Sequence, residues 1–281
     1  MKMMILSGRS GSGKTVALRA LEDLGYNCID NLPVSLLPVL AQKIRSEHGT
    51  VVVSIDARAL ADELMRFDEI IGEIEGTGLP CEILYFDAAD DTLLKRFSET
   101  RRRHPLTHDG ISLLEAIRQE RQLLEPIASK ADLLVDTTLL GPYKLRDLIR
   151  DRIINRSATG MALLFQSFGY KHGVPGDADF VFDARCLPNP YWDPQLRPLT
   201  GKDQAIIDFL QQDSMVLEFF WQVKVFLHTW IPRFEQDNRA YMTVAIGCTG
   251  GQHRSVYLVE QLAEHFRKER DNVQIRHREL S

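Results

Sequence analysis

The sequence has few cysteines, and they show no pairing pattern. Its 281 residues contain four, which lie far apart and never in Cys-x-x-Cys spacing: Cys28, Cys81, Cys186 and Cys248. This argues against a structural zinc site and against a disulfide scaffold. No apolar run approaches the ~20 residues that a membrane-spanning helix needs. The apolar run at the start is too short for a signal peptide and leads straight into a glycine-rich loop. We therefore expect a cytoplasmic protein without a membrane segment.

A strong charge of either sign is also missing. The formal net charge is −5, so the chain as a whole does not attract nucleic acid or anionic lipid. Any polyanion must then bind at a local basic patch. With 44% hydrophobic and 26% charged residues, the composition is that of a folded protein. The length suits two domains.

Strand and helix patterns alternate through the first half of the chain. Near-continuous apolar strands such as 50–56 and 82–87 end in carboxylates, and helical patterns separate them. Strands of this kind predict a parallel sheet with helices on both faces. A polar stretch at 155–160 resembles a linker. We predict an α/β protein with one domain at 1–155 and a second α/β domain at 156–281.

The clearest motif begins at residue 8. Gly8-Arg9-Ser10-Gly11-Ser12-Gly13-Lys14-Thr15 fills the pattern Gly-x-x-x-x-Gly-Lys-[Ser/Thr], between an apolar strand and a helical pattern. Glycines let backbone N–H groups turn towards an anion, and a helix N-terminus adds partial positive charge. Lys14 would reach the outer phosphates, and the Thr15 hydroxyl would hold Mg²⁺. The motif therefore predicts a site for ATP or GTP with Mg²⁺.

Two further features of the first half bear on nucleotide chemistry. Asp30, Asp56 and Asp87 each end a predicted strand, and one of them is expected to hold Mg²⁺ through water, although the pattern does not choose among them. The basic run 95–104 lies where small-molecule kinases carry a lid arginine. It is equally compatible with a solvated helix end whose cations complement the helix dipole.

A second anion cradle is predicted near residue 250. Cys248-Thr249-Gly250-Gly251-Gln252-His253-Arg254-Ser255 follows a strand and opens a helix, and it has the Cys-x-x-Gly-x-x-Arg-Ser shape of cysteine phosphatases. Those enzymes also need a general acid, carried in a Trp-Pro-Asp lid. This chain has Trp192-Asp193-Pro194, in another order and upstream, so we favour a pocket that senses a small phosphorylated molecule. Three residues either complete this pocket or are structural: Asp183, Arg185 and Asn189.

These motifs, taken in order, closely resemble the RapZ family, also called the YvcJ family or RNase adapter proteins. The resemblance runs the length of the chain. Besides the two loops, it is carried by residues 28–33, 54–58, 101–106, 168–173, 187–190 and 276–278.

The resemblance implies ATP binding at 8–15 and a GTP assignment at Asp56-Ala57-Arg58-Ala59, with weak nucleotide hydrolysis. It implies that the domain at 1–155 is a P-loop kinase-like nucleotide-binding domain. It also implies that the domain at 156–281 senses a sugar phosphate, with glucosamine-6-phosphate as the ligand of the second loop, and binds RNA or a protein partner. It also implies a homo-oligomer, a tetramer in enteric members, that presents small regulatory RNA to an endoribonuclease. Enteric members end in a basic cluster, whereas this chain has a diluted set of cations for RNA: Arg267, Lys268, Arg270, Arg276 and Arg278. Fewer cations predict weaker RNA binding.

Three functions remain open at this point. The first is a regulatory nucleotide-binding adaptor with weak ATPase or GTPase activity at most, favoured by two separate anion cradles. The second is a small-molecule kinase, favoured by the arginine run. The third and least favoured is a cysteine phosphatase that would use Cys248 and Arg254.

Overall fold

The chain forms two units, Met1–Ile154 and Asn155–Ser281, each built on its own sheet. The computed structural model describes residues 2–45, 49–57, 61–108, 110–154, 160–237 and 239–280. Both units are α/β, which confirms the predicted fold class. Among the described residues, no helix has the length and apolar character required to cross a membrane.

The first unit contains a five-stranded parallel sheet in the order β2-β3-β1-β4-β5. Its strands are β1 Lys2–Gly8, β2 Asn27–Ile29, β3 Thr50–Ser54, β4 Cys81–Asp87 and β5 Leu133–Asp136. Its helices are α1 Lys14–Asp23, α2 Leu37–Ile44, α3 Ala61–Met65, α4 Phe67–Gly76, α5 Asp90–Thr100, α6 Leu113–Ala128 and α7 Pro142–Ile149.

Alternation along the strands explains why this sheet is covered on both faces. Met3 and Ile5 of β1 pack in one core with residues of α2, α4 and α6, whereas the intervening Met4 and Leu6 are buried on the opposite face. Helix α1 packs against β1, β2 and β3, and its residues lie outside the first core. Because all strands are parallel, their carboxyl ends meet at one edge of the sheet. The loops after β1, β3 and β4 therefore converge there.

The second unit contains a four-stranded parallel sheet in the order β7-β8-β6-β9. Its strands are β6 Ala162–Gly169, β7 Phe180–Asp183, β8 Tyr241–Cys248 and β9 Val273–His277. Its helices are α8 Gln204–Gln211, α9 Ser214–Gln236 and α10 Arg254–Arg267. Leu163 and Phe165 of β6 share one core with buried residues of all three helices. The loop between β8 and α10 leaves the carboxyl end of a central strand.

The structure corrects several boundaries expected from the sequence. The apolar spacing of 60–75 predicts one helix, but the structure has two, because Arg66 leaves helical geometry with φ −93° and ψ 10°. Helix α7 ends at Ile149 and continues as a π-helical turn, Arg150–Ile154. Helix α8 was not expected. Most of the predicted linker lies outside the described residues.

The aromatic-rich helical spacing of 215–234 predicts a core helix rather than a base-stacking surface, and the structure has helix α9 there. Its buried stripe is instead aliphatic, consisting of Val216, Val223, Leu227 and Ile231. Phe219, Phe220, Phe226 and Phe234 pack at the margin of the core, whereas Trp221 is 55% exposed. The expectation is therefore right only for part of the helix.

Candidate functional site

The first loop runs from the carboxyl end of β1 to the N-terminus of α1 and approaches strand β4 closely. Gly8 has φ +146°, and a Cβ there would clash with the carbonyl oxygen of Phe86 and lie 2.8 Å from the Phe86 nitrogen. Gly13, with φ +99°, is the residue before α1. These are backbone conformations and contacts that only glycine tolerates. The glycines of the motif are therefore required by the path of the loop.

Lys14 points towards the end of the neighbouring strand β3. Its Nζ donates to the carbonyl oxygen of Ile55 at 2.8 Å and lies 3.9 Å from Oδ2 of Asp56. With its amide nitrogen facing Asp56, Asn31 donates to both carboxylate oxygens at 3.0 and 3.3 Å. Asn31 has φ +54°, which places it in the left-handed region. Lys14, Asp56 and Asn31 thus form one polar cluster beside the loop.

The three candidate acids have different surroundings. Oδ1 of Asp87 accepts from the guanidinium of Arg9 at 2.6 Å and from the Ala88 nitrogen at 2.7 Å. Asp30 is exposed, and only Asp56 is both 8% exposed and within 4 Å of the loop lysine. Asp56 is therefore the acid best placed to act with the Thr15 hydroxyl, which is exposed at the start of α1.

Arg9 is a fully buried arginine within the loop. Its Nη1 donates to Oδ1 of Asp90 at 2.6 Å, and its Nη2 donates to the carbonyl oxygen of Ala88. The hydrogen bond from Arg9 holds the pKa of the Asp90 carboxyl below its ordinary value. Because a buried arginine needs compensating partners, these contacts fix the loop to the segment between β4 and α5.

Ser10 is held by a buried carboxylate from helix α6. Glu120 accepts from the Ser10 nitrogen at 2.8 Å through Oε2 and from the Ser10 hydroxyl at 2.7 Å through Oε1. Oε2 also contacts Nε2 of His104 at 3.0 Å, and both the glutamate and the histidine side chains are fully buried. The loop therefore rests on an ionisable network that reaches into the basic run 95–104.

That basic run divides into residues with different tasks. Arg96 donates through Nη1 to the carbonyl oxygen of Gly11 at 2.9 Å and through Nη2 to that of Thr137 at 2.6 Å, so it ties the loop to the segment after β5. Arg101, Arg102 and Arg103 are exposed, whereas His104 is buried. Arg96 has a structural role here, and only the three exposed arginines match the surroundings expected of a lid.

Thr15, Asp56 and the loop backbone form a donor set that fits Mg²⁺ and a polyphosphate. Hydroxyl and carboxylate oxygens are the ligands that Mg²⁺ prefers. Within the described residues, the buried Ser12 hydroxyl on the loop has no hydrogen-bond partner. An unpaired buried hydroxyl is costly, and a bound oxyanion would be one way to satisfy it.

The second loop holds its cysteine inside the turn. Cys248 is 2% exposed, and its Sγ accepts from the Gly251 nitrogen at 3.2 Å and lies 3.1 Å from the Ser255 hydroxyl. Gly251 has φ +74°, and a Cβ there would lie 2.6 Å from the Gly169 nitrogen. A Cβ at Gly169 would meet the backbone of Gly250 at 2.7 Å. The loop therefore packs tightly against the carboxyl end of β6.

Arg254 opens helix α10 and is only 4% exposed. Its Nη1 donates to the carbonyl oxygens of Arg185 and Leu187 at 3.0 Å each, and its Nη2 lies 3.4 Å from the Thr249 hydroxyl. The guanidinium therefore fastens the segment after β7 to the second loop. Within the described residues, Nε of Arg254 and Nε2 of His253 are buried without hydrogen-bond partners. The Arg254 Nε–H is thus an unpaired donor beside the loop, and His253 Nε2 is an unpaired donor or acceptor according to the tautomer.

The structure brings Asp183 and Arg185 next to this loop. Asp183 ends β7 opposite Gly247 of β8, and its Oδ2 accepts from Nη2 of Arg185 at 2.7 Å. This ion pair lowers the pKa of the Asp183 carboxyl. Asn189 is half-buried in the following turn, where its carbonyl oxygen accepts from the Trp192 nitrogen at 3.3 Å.

The surroundings of a cysteine phosphatase are only partly present. Asp193, the acid of the Trp-Asp-Pro segment, accepts from the Gln195 nitrogen at 2.8 Å and is exposed. Arg254 already donates to two backbone carbonyls. Arg254 is therefore not held free for a phosphate ester. The contact of Asp193 does not resemble that of a general acid aimed at a leaving group.

Comparisons with known proteins decide the family. Residues 1–157 match the RapZ-like N-terminal domain, and residues 161–281 match the RapZ C-terminal domain. The chain belongs to the RapZ family.

Full-length relatives in this family are described as nucleotide-binding proteins. The relative from Nitrosococcus oceani is 56% identical over 283 residues, and the one from Hahella chejuensis is 54% identical over 285 residues; all of both chains is covered in each case. Both are named "Nucleotide-binding protein".

The similarity to solved structures is much weaker. Shikimate kinase from Acinetobacter baumannii is 17% identical with a TM-score of 0.40, covering 57% of this chain and 96% of that one. A sugar kinase from Janibacter sp. is 15% identical with a TM-score of 0.36, covering 53% of this chain and 92% of that one. Similarity at this level assigns no substrate.

The segment 56–59, which the resemblance assigns to GTP, is described only in part. Asp56 and Ala57 are buried at the carboxyl end of β3, and Asp56 belongs to the cluster around Lys14. Arg58 and Ala59 lie outside the described residues. The first two positions of this segment thus lie beside the first loop.

The cations expected to bind RNA are mostly engaged in contacts of their own. Arg270 and Glu235 form a two-fold ion pair at 2.5 and 3.0 Å, and Nζ of Lys268 lies 3.6 Å from Glu264. Arg267 donates to the Val273 carbonyl at 3.4 Å, and Arg278 to the Gly173 carbonyl at 3.3 Å. Arg276 lies on β9. No single basic patch joins these five residues through the described contacts.

Sequence reasoning did not identify Glu120, although a signal was present. Glu120 occupies a position on the stripe of α6 that otherwise holds Ala116, Ile117, Leu124 and Ile127. A carboxylate on an apolar helical stripe indicates a buried polar partner. Arg9 had no comparable signal, because its partners Asp87 and Asp90 are about eighty positions away in the chain.

Proposed function

We propose that this RapZ-family protein is a nucleotide-binding regulatory adaptor, with ATP or GTP and Mg²⁺ held by residues 8–15, Asp56 and the adjoining segment. It senses a phosphorylated amino sugar at residues 248–255. Through these ligands it modulates the processing of small RNA by an endoribonuclease, and it works in the cytoplasm as a homo-oligomer. The observation that carries the proposal is the second cradle, in which Cys248 and Arg254 are committed to structural contacts.

Each part of the nucleotide site has a task in this proposal. Backbone N–H groups of the loop bind phosphate oxygens, Lys14 neutralises the outer phosphates, and Thr15 with Asp56 holds the metal ion. Bound Mg²⁺ would neutralise charge on the phosphates. With Asp56, Asn31 and the Ile55 carbonyl around it, the Lys14 ammonium is oriented before nucleotide arrives.

Calorimetry with MgATP and MgGTP tests the first loop. We expect Lys14→Ala to weaken nucleotide binding by at least about a hundredfold, because a charge-assisted phosphate contact is lost. Lys95→Ala, an exposed lysine on α5, is the matched control. Unchanged affinity in Lys14→Ala would remove the loop from the nucleotide site.

The second loop is tested with glucosamine-6-phosphate and a phosphatase substrate. A sensor binds the sugar phosphate and releases no inorganic phosphate from it. Cys248→Ser keeps the size of the side chain but replaces the thiol, so a phosphatase would lose turnover in this variant. Turnover by the wild type that disappears in Cys248→Ser would reverse the assignment in favour of phosphatase chemistry.

RNA and protein partners are tested by a pull-down from lysate with and without the sugar phosphate. We expect small RNA and an endoribonuclease to be recovered, in amounts that change with the sugar phosphate. Mobility shifts at two salt concentrations measure how many phosphate contacts contribute. Absence of any shift at low salt would remove RNA from the proposal.

A small-molecule kinase is the second candidate, and one observation favours it. Arg101, Arg102 and Arg103 remain exposed directly before His104, which is hydrogen-bonded to the carboxylate that holds the loop. A kinase would release ADP in the presence of a small acceptor, and Arg102→Ala would slow that release with nucleotide affinity unchanged. A panel of sugars and sugar phosphates in a coupled ADP assay decides between the candidates.

A further inference from the structure

The side chain of Glu279 packs into the second loop from the segment that follows β9. A Cβ at Gly251 would clash with Oε2 of Glu279 and lie 2.8 Å from its Cδ, so the carboxyl group lies directly against the turn. The Cβ position on Gly251 is also 2.6 Å from the Gly169 nitrogen. The carboxyl group therefore lies between the carboxyl end of β6 and the glycines of the second loop.

The surroundings of this carboxyl group are those of an anion-binding site. The Gly169 N–H faces it, and Arg278, His172 and Lys171 lie near enough to act on it electrostatically. Nζ of Lys171 also lies 3.9 Å from the position of a Cβ on Gly250. Backbone N–H groups and cations around a glycine-rich turn form a concave site for anions.

The fit of the carboxylate is nevertheless poor. Within the described residues, neither oxygen of Glu279 has a well-formed hydrogen bond, although both are shielded from solvent. Burial raises the pKa of the Glu279 carboxyl, and the Gly169 N–H and the nearby cations offset this only in part. A charged group that is desolvated without full compensation is held weakly.

We propose that Glu279 is a built-in competitor that occupies the anion subsite of the second loop, and that a phosphorylated ligand displaces it and releases the segment 278–280. This rests on the proposed function, because the ligand that displaces Glu279 is the sugar phosphate assigned to the same loop. A phosphate group brings up to two negative charges and three acceptor oxygens to the Gly169 N–H, Lys171 and His172. A carboxylate brings one charge and two oxygens.

Competition within one chain has a defined energetic consequence. A tethered group acts at a high effective concentration, so even a poorly fitting carboxylate fills the subsite until enough phosphate is present. The apparent ligand affinity is lowered by the fraction of molecules in which the subsite is open. Removing the carboxylate charge should therefore tighten phosphate binding, whereas removing a purely structural contact should not.

The experiment compares wild type with Glu279→Gln, and with Glu279→Ala as a second variant that removes the side chain altogether. Inorganic phosphate and glucosamine-6-phosphate are the probes, in calorimetry at one pH and salt concentration. We expect both variants to bind the probes about threefold more tightly or better, in line with an opened subsite. Glu264→Gln, on the exposed face of α10, is the matched control and should bind as the wild type does.

Hydrogen exchange of the segment 273–280 gives the second readout. In wild type, either probe should increase exchange at 278–280, and in Glu279→Gln exchange there should be high before any ligand is added. Equal affinities in wild type and variants, with unchanged exchange, overturn the inference and leave the sugar-phosphate function standing. Weaker binding in both variants also overturns it.

Failure of the proposed function has a different pattern. If inorganic phosphate binds more tightly to Glu279→Gln and glucosamine-6-phosphate binds to neither protein, the inference holds and amino-sugar sensing is refuted. If neither probe binds wild type or variant, both are refuted.

Discussion

The imidazole of His104 donates from Nε2 to Oε2 of Glu120 at 3.0 Å, in a contact where both side chains are fully buried. The direction follows from the other ring nitrogen, since Nδ1 accepts from the Leu106 nitrogen at 3.2 Å and so carries no proton. Glu120 also accepts hydrogen bonds from the Ser10 nitrogen and the Ser10 hydroxyl. One carboxylate thus satisfies three donors and fixes the first residues of the phosphate loop.

We expect Glu120→Gln to weaken the loop without unfolding the protein. An amide has one acceptor oxygen, so at least one donor from Ser10 or His104 is left unpaired, at about 1–3 kcal/mol of unfolding free energy. Nucleotide affinity should fall about tenfold as the loop loses its orientation. Urea unfolding and calorimetry with MgATP measure the two effects. Glu125→Gln, at an exposed position of the same helix, should change neither the unfolding free energy nor the nucleotide affinity. An equally large effect in Glu125→Gln would contradict the specific role of Glu120.

Two glycine-to-alanine substitutions should have opposite effects. At Gly8 a Cβ would clash with the backbone of Phe86 at φ +146°, so Gly8→Ala should cost about 3 kcal/mol or more of unfolding free energy. At Gly72, inside α4, a Cβ meets nothing within 4 Å, so Gly72→Ala should stabilise by about 0.4–1 kcal/mol. Thermal and urea unfolding of both variants check this. A neutral Gly8→Ala would contradict the close approach of the loop to β4.

The ion pair between Arg9 and Asp90 predicts acid sensitivity. The Asp90 carboxyl has a folded-state pKa below its ordinary 3.8 because Arg9 donates to it. The ionised Asp90 carboxylate therefore stabilises the folded state above pH 3.8. This stabilisation is lost as the pH falls through the lower pKa that Asp90 has in the folded state. We expect the unfolding free energy of Asp90→Asn to depend less on pH below about pH 4 than that of wild type. Urea unfolding between pH 2.5 and 7 measures the slope, with the exposed Asp91→Asn as control; equal slopes in wild type and Asp90→Asn would contradict the prediction.

Arg254→Lys should destabilise the second loop although the charge is kept. The guanidinium donates to the carbonyl oxygens of Arg185 and Leu187, and a lysine ammonium cannot span both together with Thr249. We expect a loss of about 1–3 kcal/mol in unfolding free energy. Glucosamine-6-phosphate should also bind at least about tenfold more weakly. Arg233→Lys, an exposed arginine on α9, is the control for both measurements. If Arg254→Lys had the stability and the ligand affinity of the wild type, the simultaneous hydrogen bonds of the guanidinium to two carbonyl oxygens would not be needed.

The amino-acid sequence by itself determined most of the elements and the two loops. Local patterns were sufficient for this, because strand alternation, helical spacing and glycine placement depend on neighbouring residues. The apolar patterns predict a strand at 133–136 and a helix at 254–267, which are the bounds of β5 and α10, and Ser112 caps α6 with Glu115 in a capping box. Where a pattern failed, as at Arg66, no glycine or proline in the sequence marks the break between the two helices.

Only the tertiary structure decided which chemically active residues meet. Asp30, Asp56 and Asp87 are equivalent as strand ends in the sequence. The strand order places Asp56 beside Lys14, whereas Asp87 accepts a hydrogen bond from Arg9. Glu120 reaches Ser10 across 110 positions, and Glu279 reaches Gly251 across 28. Such contacts are set by sheet topology and helix packing, which no local window of sequence encodes. The position of Glu279 against Gly251 in particular could be found only in the folded chain.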